Sequence, residues 1–268
     1  MKKAIVLASF GTTDETARQR AITSIADEIQ TTFPAYQVVE AYTSRFVLRR
    51  LQARGVEARS LPDCLTQLLT AGVQEIYIQP AHLTPGEEYD HKICTEAATF
   101  AKKFTKLVVG EPLFFHWQGY QPANVDDVQE ALKALAQCFT LAQGEQLVLL
   151  GHGSPHRHNP VYEALQRAAD EASLPFSIGV VEKTDWPRYE DVEARLLQAG
   201  TKQVLLAPLL LTGGVHVTED MAGADESSWK SRLEKRGFQV RVDKQGLGER
   251  APFRQLYLQK VKRLVLQK

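Results

Sequence analysis

Short apolar runs alternate with amphipathic segments along the whole chain. Eight runs read as strands: Ala4–Ala8, Val38–Tyr42, Val73–Gln79, Leu107–Gly110, Gln146–Leu150, Phe176–Glu182, Gln203–Pro208 and Phe238–Val242. They are apolar on both faces and flanked by helix-length segments, as parallel strands covered by helices tend to be. Ile22, Ile25, Ala26, Ile29 and Phe33 recur at helical spacing and form the buried stripe of a first helix. That helix is predicted to open near Thr12, with Glu15 three residues on as the partner in a capping box. Gly55, Gly72, Gly200 and Gly237 stand where helices are predicted to stop in a left-handed residue. Further helices are predicted over Val125–Cys138 and Ala251–Leu266. The fold class is therefore α/β.

The pattern occurs twice. Leu69-Thr70-Ala71-Gly72-Val73 through Pro80 matches Leu197-Gln198-Ala199-Gly200-Thr201 through Pro208, at an offset of 197 − 69 = 128. The match continues through Leu83 and Leu211, and Gly86 and Gly214. Each copy is a helix end, a glycine cap, a strand and a loop. Ser9-Phe10-Gly11 answers Gly151-His152-Gly153 at a different offset, 153 − 11 = 142, so a connection between the two blocks differs in length. We expect two similar doubly wound parallel-sheet halves, residues 1–140 and 141–268, with a cleft between them. Helix Val125–Cys138 lies near their junction, and the last helix is expected to return to the first half.

Composition narrows the chemistry. Lys plus Arg and Asp plus Glu are both 32 in 268 residues, a balance that gives no support to a nucleic-acid or membrane-surface role. Cys64, Cys94 and Cys138 are odd in number and form no C-x-x-C pair, which fits reduced thiols in the cytoplasm. The apolar start Ala4–Ala8 is too short for a signal segment and reads as a buried first strand. No apolar run approaches the roughly 18 residues that span a bilayer.

In parallel α/β sheets, ligands bind beyond the carboxyl ends of the strands. His152 follows the strand Gln146–Leu150, Glu182 ends Phe176–Glu182, and His216 lies in the loop after Gln203–Pro208. Two imidazoles and a carboxylate on one sheet edge suit a borderline divalent metal and leave coordination positions open. Each also has a plainer reading: His152 as a turn residue between glycines, Glu182 as a surface partner of Lys183 or Arg188, His216 as a loop residue. His156 and His158 read as solvated helix-entry residues, and His82, His91 and His116 carry no spacing argument. Glu88 is the repeat counterpart of His216 (216 − 88 = 128). It could assist proton movement, or simply favour a helix N-terminus. Arg45, Arg49, Arg50 and Arg54 lie on or near one short helix after the second strand. Arg45, nearest the strand end, is the candidate to meet substrate carboxylates, against the alternative of a solvated face. No dinucleotide fingerprint, Walker A sequence or nucleophile elbow is present.

Ala8-Ser9-Phe10-Gly11-Thr12, Gly151-His152-Gly153, Val181-Glu182, Glu87-Glu88-Tyr89 and above all His216-Val217-Thr218-Glu219-Asp220-Met221-Ala222 with Ser228-Trp229-Lys230 resemble the anaerobic-type sirohydrochlorin cobaltochelatases. The resemblance runs in order along essentially the whole chain. It implies insertion of Co²⁺, as substrate metal, into sirohydrochlorin or its less oxidised precursor on the route to cobalamin, without ATP and without a redox cofactor. It implies His152, Glu182 and His216 as metal-binding residues and His152 as proton acceptor, with Glu88 assisting. Phe10, Gly11, Thr12, Arg45, Gly153 and Gly214 are the positions expected to line the tetrapyrrole. One departure is Val215, where the family pattern often has an acidic residue. The expected partner is the tetrapyrrole, with a homo-oligomer allowed and neither nucleic acid nor membrane involved. Iron or nickel insertion and a non-catalytic carrier are the alternatives.

Overall fold

The structure, a computed structural model, describes all residues except 115, 116, 119, 120, 123, 124, 156, 157, 215, 216, 267 and 268. For 117, 118, 121, 122, 125, 126, 217 and 218 only the backbone is described. Apolar residues at consecutive positions make β1 (Lys2–Ser9), whose last six residues are buried. A helix follows as α1 (Glu15–Ala17), a π-helical stretch (Arg18–Thr23) and α2 (Ser24–Thr32). Then come β2 (Gln37–Tyr42), α3 (Arg45–Ala53), α4 (Leu61–Thr70), β3 (Val73–Pro80), a second π-helical stretch (Glu88–Thr95), α5 (Glu96–Ala98) and β4 (Lys106–Val109). A short antiparallel pair, β5 (Trp117–Gln118) and β6 (Gln121–Pro122), precedes α6 (Val125–Cys138). The second series is β7 (Glu145–Gly151), α7 (Val161–Glu171), β8 (Phe176–Val180), α8 (Tyr189–Gln198), β9 (Gln203–Pro208), a third π-helical stretch (Val217–Met221), α9 (Trp229–Lys235), β10 (Gln239–Val242) and α10 (Ala251–Leu266).

Two local expectations are corrected. The first helix is capped by Asp14, whose side chain accepts from Ala17 N–H at 2.9 Å, while Thr12 Oγ1 accepts from Asp14 N–H in the preceding turn. Both residues are good caps, and the one nearer the helix takes the role. Strand β8 stops at Val180, short of Glu182, because residues 182–185 turn back with Asp185 N–H donating to Glu182 O at 3.2 Å.

The eight long strands form two parallel sheets, ordered β2-β1-β3-β4 and β8-β7-β9-β10. The order is the same in both, and so is the backbone hydrogen bonding. Ala81 N–H donates to Ala8 O and Leu209 N–H to Leu150 O, each at 2.8 Å. Leu113 N–H donates to His82 O and Leu247 N–H to Leu210 O; Phe114 N–H donates to Leu83 O and Gly248 N–H to Leu211 O. The acceptors differ by 150 − 8 = 142 and by 210 − 82 = 211 − 83 = 128, the two offsets of the sequence repeat.

The chain divides into two compact units, Met1–Asn124 with Phe253–Lys268, and Val125–Pro252. In the first, Val6, Ala8, Ile76 and Ile78 pack with Leu61, Leu65 and Leu68 of α4 and with Ile93 and Ala97. The alternate residues Ile5 and Leu7 are fully buried beneath the other face. α10 belongs to this unit, where Phe253 meets Phe114 edge-on and Tyr257 O–H donates to Ala81 O at 2.8 Å. In the second unit, Val148, Leu150, Val204 and Leu206 pack with Tyr189, Val192, Met221, Trp229 and Leu233. Both edge strands after the first helix are held by a glutamine clip. Gln30 donates to Tyr36 O and accepts from Val38 N–H, and Gln166 donates to Phe176 O and accepts from Ile178 N–H. At the amino ends of the second sheet, Arg241 of β10 pairs bidentately with buried Glu145 of β7 at 2.6 and 2.7 Å, which holds that carboxyl below the usual range.

Candidate metal-binding and catalytic site

β7 delivers Gly151 to the carboxyl edge of the second sheet, and the chain then turns sharply. Gly153 has φ +82°, and a Cβ there would lie 2.9 Å from Glu182 Cβ and 3.0 Å from Val180 Cβ. Only glycine tolerates both that conformation and that approach. The turn lays His152 beside the segment that follows β8. Val181 N–H donates to Gly151 O and Glu182 N–H to His152 O, at 3.1 and 3.0 Å. The side chains follow the backbone: His152 Nδ1 lies 3.8 Å from Glu182 Oε1, with both groups partly open to solvent. An imidazole and a carboxylate are thus presented together at a strand edge, the arrangement that metal sites use.

The turn behind this pair is built on Asp185, which is fully buried. Its carboxylate accepts from the N–H groups of Ser154 at 2.8 Å, Trp186 at 2.9 Å and Asn159 at 3.1 Å, and meets His158 Nδ1 at 2.6 Å. His158 Nε2 lies 2.9 Å from Glu163 Oε2, and its ring stacks on Trp186 at 3.5 Å with 3° between planes. The expectation that His158 is a solvated helix-entry residue is therefore wrong. A buried carboxylate 27 residues away claims it, and sequence spacing carries no trace of that pairing. His156 and His116 lie outside the described residues, as do His216 and Val215.

The loop after β9 is described on either side of His216. Gly213 leaves no room for a Cβ against Lys244 O, at 2.6 Å, while Gly214 is unobstructed. Beyond it, Met221 and Trp229 are buried in the core, and Ser228 caps α9 while its hydroxyl donates to Gly223 O at 2.8 Å. These residues of the His216 motif anchor the loop from below. Among the described residues no group of three or more His, Cys, Asp or Glu converges as a metal cage.

In the first unit the counterpart of His152 is Phe10, half exposed at the end of β1. Gly11 has φ +87°, and a Cβ there would meet Tyr42 and Val47. Thr12 is buried and Arg45, the first residue of α3, is exposed. Glu88 begins the second π-helical stretch with Oε2 buried and unpartnered. The neighbouring Glu96 carboxyl is pushed up by burial and by Glu88, with Lys92 and Arg45 opposing, so Arg45 and Glu88 share one electrostatic neighbourhood. His82, without any spacing signal, has both ring nitrogens buried and unpartnered, and burial pushes it down to about 4. The three cysteines are free thiols, and no helix among the described residues is long and apolar enough to cross a membrane.

Paired parallel sheets with ligand-type side chains at one carboxyl edge define a duplicated α/β chelatase fold. SirB from Bacillus subtilis with Fe³⁺ superposes with a TM-score of 0.65, covering 99% of this chain and 96% of that one, at 14% identity, a likeness of fold alone. The family described as cobalt chelatase (CbiK) matches residues 3–265. Sirohydrochlorin cobaltochelatase of Salmonella typhimurium is 30% identical over 260 residues, 96% of this chain and 94% of that one. Sirohydrochlorin cobaltochelatase CbiKC of Nitratidesulfovibrio vulgaris is also 30% identical over 260 residues, covering 96% and 88%. The chain belongs to the CbiK cobalt chelatase family.

Proposed function

We propose that this protein inserts Co²⁺ into sirohydrochlorin without ATP and without a redox cofactor, with His152, Glu182 and His216 holding the entering metal. The observation that carries the reading is the His152–Glu182 pair at the carboxyl edge of the second sheet, 3.8 Å apart, in a chain that matches the cobalt chelatase family over residues 3–265. Insertion removes two pyrrole protons and exchanges the metal's ligands for ring nitrogens. A neutral imidazole can ligate and can accept a proton. His152 ligates first and, once the metal has passed to the ring and freed its nitrogen, accepts one pyrrole proton; the other leaves to solvent water, while Glu182 offsets the metal's charge. Glu88, with an unpartnered buried oxygen at the repeat position of His216, assists proton movement. Arg45 meets a substrate carboxylate, and Phe10, Gly11, Thr12, Gly153 and Gly214 line the ring. Free thiols fit a reducing, cytoplasmic setting.

The test is the absorbance of sirohydrochlorin with Co²⁺ and a catalytic amount of protein, anaerobically and without ATP. Many turnovers above the protein-free rate are expected. A rate equal to the control overturns the reading. His152→Ala is expected to abolish insertion with an unchanged thermal midpoint, because the residue is a half-open loop side chain. Retained turnover removes it from the mechanism.

A further inference from the structure

The loop that carries His152 is held by polar bonds from outside. Three of them converge on one group. The Asp185 carboxylate binds the backbone at Ser154 and Asn159, on the segment leaving His152, and the ring of His158 between them. Asp185 itself sits in the turn that starts at Glu182, closed by its own N–H onto Glu182 O. Thr184 Oγ1 adds a bond to Ser154 O at 2.9 Å, and Trp186 clamps His158 by stacking while its indole N–H donates to Glu163 at 3.0 Å. One buried carboxylate therefore joins the segment bearing the imidazole to the segment bearing the carboxylate partner. Metal sites depend on such outer groups to fix ligand orientation.

We propose that Asp185 is the positioning residue of the metal-binding pair. It fixes the spacing of His152 and Glu182 by tying Ser154, Asn159 and His158 to the turn that begins at Glu182, and His158 with Trp186 braces it. This rests on the reading that His152 and Glu182 hold Co²⁺. Asp185 touches neither metal nor tetrapyrrole. Replacing it by asparagine keeps the shape and one acceptor but turns the other into a donor facing an N–H group, so part of the common anchor is lost.

The test compares the wild type, Asp185→Asn, His158→Leu and, as a stability control at the opposite end of the same sheet, Arg241→Met. Each is titrated with CoCl₂ alone, reading affinity and the visible ligand-field spectrum of bound Co²⁺. Each is then assayed for insertion with Co²⁺ and sirohydrochlorin varied separately. Asp185→Asn is expected to weaken Co²⁺ binding by about tenfold or more, to alter the ligand-field spectrum, and to raise KM for Co²⁺ while leaving KM for sirohydrochlorin near wild type. His158→Leu is expected to shift the same readouts in the same direction by less. Arg241→Met is expected to lower the thermal midpoint with an unchanged spectrum. A folded Asp185→Asn with wild-type Co²⁺ affinity and spectrum overturns the proposal. Where that variant does not fold, an unchanged spectrum and affinity in His158→Leu overturns it. A wild type that inserts no Co²⁺ at all overturns the functional reading instead.

Discussion

At the scale of single residues, glycines with the same backbone conformation have different work to do. Gly72 and Gly153 both have positive φ, but a Cβ at Gly72 would meet nothing within 4 Å, while at Gly153 it would strike Glu182 and Val180. Gly72→Ala is expected to cost about 1 kcal/mol of stability and to leave insertion intact. Gly153→Ala is expected to displace the Glu182 segment and slow insertion by about tenfold or more; equal rates for the two variants would show that the close approach is not needed. His82 gives a pH signature. Its folded form releases its proton near 4 because of burial, against about 6.5 unfolded. The unfolded chain thus binds more protons between those values. The stability tied to His82 is complete above about 6.5 and is lost as pH falls towards 4, by up to about 3 kcal/mol. Urea midpoints of the wild type should fall further between pH 7 and pH 4.5 than those of His82→Gln; parallel curves would count against the buried, neutral ring. That His152 and Glu182 lie side by side at one sheet edge was legible in the sequence, because each follows the end of a neighbouring parallel strand. Asp185 and His158 were not, since a bond between residues 27 apart depends on how two loops meet.

At the scale of elements, the glutamine clips show how this fold finishes its edges. β2 and β8 are edge strands, each with an outward N–H and C=O that the sheet cannot satisfy. Gln30 and Gln166, each on the helix entering the strand, satisfy them. Gln166 is buried and Gln30 more open. Gln166→Ala is therefore expected to cost about 2 kcal/mol and to speed hydrogen exchange at the Ile178 amide, while Gln30→Ala should change stability little. Equal effects would mean that burial does not set the cost. All eight long strands coincide with the apolar runs to within two residues at each end, because continuous burial leaves a continuous apolar signature. The end of β8 falls two residues short, since Val181 and Glu182 continue the pattern after the backbone has turned away.

At the scale of the molecule, the chain completes its first unit with its last helix. Phe253, Tyr257, Val261 and Leu264 are all nearly or fully buried there. At about 1.5–3 kcal/mol per side chain, ending the chain at Pro252 should remove on the order of 8 kcal/mol from the first unit, comparable with the whole stability of a domain. Calorimetry of that truncated chain is expected to lose one thermal transition, while a Val125–Pro252 fragment retains the other; two intact transitions after truncation would contradict the assignment of α10. The sequence repeat made the two halves visible, but its two offsets left 142 − 128 = 14 residues to be placed. The structure accounts for most of them. From β2 the first unit passes through α3 before α4, whereas from β8 the second passes straight to α8. What Val47 of α3 presses against is Gly11; what presses against its counterpart Gly153 is the Glu182–Asp185 turn. A duplicated fold begins with two equivalent strand-end turns, and this one backs the first with a helix and the second with a carboxylate-bearing turn. Shortening that connection in the first unit to the length used in the second is thus the change that would restore symmetry, leaving an aromatic ring where its twin holds an imidazole.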